Sequence, residues 1–191
     1  MVAVAGLVHL HERPPSPPGD AEIAAGVDCL DPGMFPGRFP PPTAQTFTPP
    51  STGSVPDNVI PVAVVSCEPT FGRSRLDANG NPVGTEVTVD EVRHAGDLTV
   101  LLSALSEDSD PQGWWIEAWF GKTRDYTGGA HCTPGIPCSM LWLVDADGRA
   151  IRPAIPKTRS GGPKPDAREA IARLTVVDRT SHGLFVPRSD S

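Results

Sequence analysis

Twelve of the chain's 23 prolines fall between residues 12 and 56, including Pro14, Pro15, Pro17, Pro18 and the triplet Pro40, Pro41 and Pro42. Proline fixes φ near about −65° and carries no backbone N–H, so neither a helix nor a central strand can run through such a segment. Residues 12–57 are therefore predicted to form an extended, polyproline-like arm. Such an arm serves either as a linker or as a ligand for an aromatic-grooved partner. Met34, Phe35 and Phe39 do not suit a solvated linker, and the stretch 28–39 is expected to lie against a folded domain.

Proline and glycine together make 42 of 191 residues (23 and 19). The glycines keep no three-residue period, which excludes collagen. No apolar run approaches the roughly 20 residues needed to span a bilayer, and so many helix breakers argue against a plain helical bundle. Sixteen basic against 23 acidic residues give a net charge of −7. Without a dense Lys/Arg cluster there is no footprint for nucleic acid, whose phosphates are bound by grouped cations.

Residues 1–11 open with the apolar run MVAVAGLVHL, a candidate remnant of a targeting segment. It lacks the basic n-region of an intact secretory signal.

From residue 58 the texture changes. Residues 58–66 (NVIPVAVVS) are β-branched and read as a strand, with Pro61 placing its start at a sheet edge. Residues 85–92 (TEVTVDEV) alternate as a half-buried strand. Asp77, Asn79 and Gly80 mark the turn of a hairpin between the two. Leu98, Leu101, Leu102 and Leu105 then form the stripe of an amphipathic helix, with Asp97 as N-cap.

Residues 112–120 (QGWWIEAWF) read as an aromatic strand and 139–144 (SMLWLV) as a buried one. The turn at 145–148 leads into a strand over 149–155, giving a second hairpin. Residues 166–174 carry Ala167, Ala170, Ile171 and Leu174 at helical spacing behind Pro165. A short strand at 175–178 is expected to close the fold, with 180–191 a flexible tail.

This order predicts an α+β fold over residues 58–179. Its single antiparallel sheet has five to six strands, two helices on one face and the Pro-rich arm in front.

The four cysteines, Cys29, Cys67, Cys132 and Cys138, form no C-x-x-C pair. An even count suggests two disulfides, with three connectivities open. The pairing Cys29–Cys67 would pin the arm to the first strand. Cys132–Cys138 would close a short loop. Two bridges would place the protein in an oxidising compartment. The alternatives are free thiols, Cys67 among them as a buried one, or zinc held by His131, Cys132 and Cys138, which lack a fourth ligand.

No nucleophile elbow, zincin, P-loop or dinucleotide motif is present. Asp77, Asn79 and Asn81 begin like a calcium loop, but Pro82 stands where glycine is needed and Thr88 where glutamate is. No catalytic residue, cofactor or metal is assigned. On a strand Trp115, Glu117 and Trp119 would share one face, an exposed platform for a partner or a seat for the chain's own arm.

Residues 141–156 (LWLVDADGRAIRPAIP) resemble a group of exported actinobacterial proteins with no assigned activity. The resemblance extends over residues 26–177 through three further places. They are an N-terminal cysteine followed by Pro-rich sequence, a strand ending in Cys67, and the helix opening at Gly96, Asp97 and Leu98. It implies an exported or envelope location and no particular activity. That group often carries a further cysteine where residues 158–162 stand here, and Cys132 would then take its place opposite Cys138.

A fainter similarity is to secreted subtilisin inhibitors, which would make 128–138 a protease-facing loop. The resulting expectation is an extracellular or envelope-associated, non-catalytic domain. It would bind a macromolecule, protein or envelope polymer, through the aromatic strand or the Cys-closed loop. The rival class is a thiol or zinc hydrolase centred on His131, Cys132 and Cys138.

Overall fold

The structure, a computed structural model, describes residues 18–30, 49–111, 140–159 and 162–187. Six strands form one antiparallel sheet in the order β1-β5-β4-β2-β3-β6. They are β1 (Ile23–Ala24), β2 (Pro61–Leu76), β3 (Pro82–Ala95), β4 (Leu141–Asp145), β5 (Ala150–Ile151) and β6 (Thr175–Pro187). Two helices, α1 (Thr99–Leu105) and α2 (Pro165–Ala172), complete the described elements. The α+β class with one antiparallel sheet is as the hydrophobic patterning predicts.

Residues 63 to 67 of β2 are buried without interruption, as is the whole of β4. Successive strand residues point to opposite faces, so a continuous buried run means that both faces are covered. On one face Val64, Leu141, Leu143 and Ile151 pack against Leu98, Leu101 and Leu105 of the α1 segment and Ala170 of α2. On the other, Val65, Cys67, Trp142, Val144 and Ala150 pack against Cys29, with Ala24 and Val27 beside it.

Several boundaries differ from the sequence reading. Residue 57 is not a border between arm and domain, since β1 lies inside the arm and pairs with β5. Gly53 and Ser54 add backbone bonds to Arg152 and Gly19, threading the arm along the sheet. A Cβ on Gly53 would collide with the backbone of Gly19, Asp20 and Ala21.

β2 is central, not an edge, and Pro61 is tolerated because it is the first residue of the strand. β2 and β3 run 16 and 14 residues, well past the predicted spans. The expected flexible tail is instead strand: β6 continues through residues 180–187, which hydrogen-bond along β3. The strand expected over 149–155 shortens to β5. Helix α1 starts at Thr99 after Leu98 in the cap position, and Asp97 one residue earlier accepts the Thr99 N–H at 2.9 Å.

Both hairpin turns share one chemistry. Asp77 Oδ1 accepts the Asn79 and Asn81 N–H groups at 2.8 Å, and Asp145 Oδ1 those of Asp147 and Arg149 at 3.0 and 2.9 Å. Gly80 and Gly148 supply the left-handed residue at φ +83° and +82°.

Candidate functional site

Two arrangements of chemistry-bearing side chains lie within the described residues. The first is the disulfide between Cys29 and Cys67, with Cα atoms 5.4 Å apart and a sequence separation of 38. Both cysteines are buried, and the bridge stitches the arm to the middle of the central strand. Cys67 is thus neither a free thiol nor a metal ligand.

The second was not anticipated. It lies on the helix-bearing face where β2, β3 and β6 run side by side. The strand registers pair Ser66 with Val92, Glu68 with Asp90, Val64 with His94 and Asp90 with Ser181. They thereby bring together six polar side chains. Arg179 of β6 reaches Asp90 of β3 at 2.7 Å and Glu68 of β2 at 3.6 Å. Ser181 donates to Asp90 at 2.6 Å, and this bond, with the Arg179 guanidinium, holds the Asp90 carboxyl below its usual range. Ser66 Oγ lies 3.1 Å from Glu68 Oε1 and 3.1 Å from His94 Nε2.

A serine beside a histidine invites a nucleophilic reading. The proton inventory argues against it. Ser66 has one hydroxyl proton, and the Glu68 carboxylate can only accept. The arrangement that satisfies both Ser66 and Glu68 runs His94 Nε2–H to Ser66 Oγ, and Ser66 O–H to Glu68. Its direction takes the proton away from the histidine, whose Nε2 is a donor and not a base. Nδ1 then carries a buried lone pair without a hydrogen-bond partner. Burial depresses the His94 pKa, with nearby Arg179 acting the same way and Glu68 opposing it. The cluster is a neutral-histidine network that ties three strands together.

Both turn aspartates are likewise committed. Hydrogen bonds from Asn81, the backbone N–H foremost, and from Asn79 hold Asp77 low, and Asp145 is buried and paired with Arg149 at 2.7 Å. Neither turn is a calcium loop. Among the described residues no group of three or more His, Cys, Asp or Glu side chains is placed to hold a metal ion. Nor is any helix there long and apolar enough to cross a membrane.

Trp115, Glu117 and Trp119, the His131, Cys132 and Cys138 group and the loop 128–138 lie outside the described residues, as do Met34, Phe35 and Phe39. No family model matches the chain, and neither a curated protein nor a solved structure is similar to it.

The network escaped the sequence reading for a physical reason. Its members are spread from residue 66 to residue 181 and meet only through strand register. The signal available in the sequence was an alternation of polar residues at 66 and 68 in the otherwise apolar stretch 61–69.

Proposed function

We propose that the protein is an exported or envelope-associated, non-catalytic domain that binds another macromolecule, a protein or an envelope polymer. The observation that carries the location is the buried Cys29–Cys67 bridge. Such bonds persist in oxidising compartments and are rare in the cytosol. The binding surface in this reading is the tryptophan-rich segment, through Trp115, Glu117 and Trp119, or the loop closed by Cys132 and Cys138. Aromatic side chains concentrate binding energy at interfaces. The orientation of the Ser66–His94 pair supports a role without nucleophilic chemistry.

Thiol counting on the unreduced protein tests the framework. This reading expects no reactive thiols under denaturing, non-reducing conditions. Two would leave the first bridge standing and remove the Cys-closed loop, whereas four would remove the exported assignment as well. For the surface, retention of envelope components on immobilised wild-type protein should drop when Trp115 and Trp119 are both changed to alanine. Equal retention by the variant would rule out the aromatic face.

A further inference from the structure

We propose that the edge of β6 that no described strand occupies pairs antiparallel with β6 of a second copy, joining two six-stranded sheets into one across a twofold axis. This rests on the fold alone and stands apart from the binding role above.

Among the described residues β6 is hydrogen-bonded on one side only, to β3, and forms the end of their sheet. Residues 175 to 181 are all exposed, and Val176 and Val177 are 50 % and 56 % accessible. Edge strands are ordinarily kept from pairing by lysines, prolines, bulges or brevity. In β6 the register is unbroken from Asp178 to Pro187, with one irregularity before it and the only proline at its end. The strand contains no lysine, and its single Asp and single Arg cancel.

The occupant follows from self-complementarity. A twofold pairing of antiparallel strands keeps each face continuous across the seam, so opposed residues must share a face and the axis must pass through one residue. Centred on Asp178 it opposes two carboxylates, on Arg179 two guanidiniums, and on His182 two imidazoles. Centred on Ser181 it sets Asp178 against Leu184.

Centred on Thr180, it sets Thr180 against itself and Arg179 against Ser181 of the second copy. It also sets Asp178 against His182 of the second copy, twice over. A carboxylate opposite an imidazole is a matched acceptor and donor in either protonation state of the ring. Threonine pairs and opposite-character pairs are favourable cross-strand neighbours, while like charges are not. His182 Nε2 lies 3.9 Å from Glu91 within its own sheet, so Nδ1 is not engaged by that contact.

The test is the mass of the full-length oxidised chain by sedimentation across the micromolar range. Wild type should sediment as two chains. Thr180→Lys opposes two ammonium groups at the axis and should return the mass to one chain. Its circular dichroism should stay native, because within its own sheet residue 180 stands beside Glu91. Thr180→Cys should give a covalent dimer on a non-reducing gel, and Phe185→Cys on the same strand should not. A wild-type monomer throughout the range, an unaltered Thr180→Lys dimer, or cross-linking through position 185 in place of 180 overturns the proposal.

Discussion

The two ends of the central hairpin are built in opposite ways. At one end β2 runs between β4 and β3, with α1 and α2 on one face and the Cys29 segment on the other. Val64, Cys67 and Leu143 there are fully buried. At the other end β2, β3 and β6 continue as a three-stranded ribbon beyond Ser66, the last residue that β4 reaches. Leu76, Val83 and Phe185 are exposed there, and Arg75 lies over the Phe185 ring at 5.6 Å. One sheet therefore has an end buried on both faces and an end where β3 still lends Val87 and Val89 to the core while the tip is held by backbone ladders, charges and turn chemistry. The six-residue polar network sits at the crossover.

Cutting the tie at the covered end should have the largest effect. Closing a 38-residue span removes unfolded-state entropy worth about 4 kcal/mol in the chain-entropy account. The double variant Cys29→Ala/Cys67→Ala should lose most of that in urea unfolding. A loss near zero would mean that the arm is held by its other contacts alone.

Leu143→Ala should come next, at about 3 kcal/mol, because a fully buried leucine leaves a cavity between sheet and helices. Gly53→Ala should cost about 2 kcal/mol by pushing the arm backbone off the sheet, the range expected for overpacking. Faster amide exchange at Ala21 and Ser54 would show that the arm, not the core, has loosened.

The crossover should respond to pH. Burial holds the folded His94 imidazole below its ordinary 6.5. As pH falls the unfolded chain binds that proton first, so the unfolded state is favoured. Stability from this site is therefore full above about 6.5 and declines as pH drops below it. Asp90, held below its ordinary 3.8 chiefly by the Ser181 bond, loses its contribution only in a lower, separate window. His94→Gln keeps a donor for Ser66 and should flatten the upper window while leaving the lower one. An unchanged slope between pH 7 and 5 would place the transition in another group.

What could be read in the sequence tracks the same division. The covered end follows burial, and burial writes a pattern: the leucine stripe of α1 and the apolar run of β4 were legible, as was the Cys29–Cys67 bridge. The ribbon follows register, which single-strand composition barely encodes. Residues 70 to 76 contain Gly72, Arg73, Ser74 and Arg75, and residues 180 to 183 are Thr, Ser, His and Gly. The first lay outside the predicted strands and the second fell in the predicted tail, yet each is strand because the other strands present a ladder to it. β1 was hidden differently, as two residues within a proline-rich arm. The polar network was invisible because no two of its strands are read together in a linear scan.

The smallest effect should come from the ribbon's tip and is the sharpest check on this contrast. Leu76 is 57 % exposed beside the Asp77 turn, so its side chain adds little burial. Leu76→Ala should change global stability by no more than about 0.5 kcal/mol, as for exposed positions generally. The same chemical change at Leu143 then differs several-fold within one sheet. Native-state exchange supplies the complementary reading, since amides at residues 83–87 should open at lower free energy than those of β4. If Leu76→Ala cost as much as Leu143→Ala, the tip would be packed against something that buries it, and the two ends would not be built differently after all.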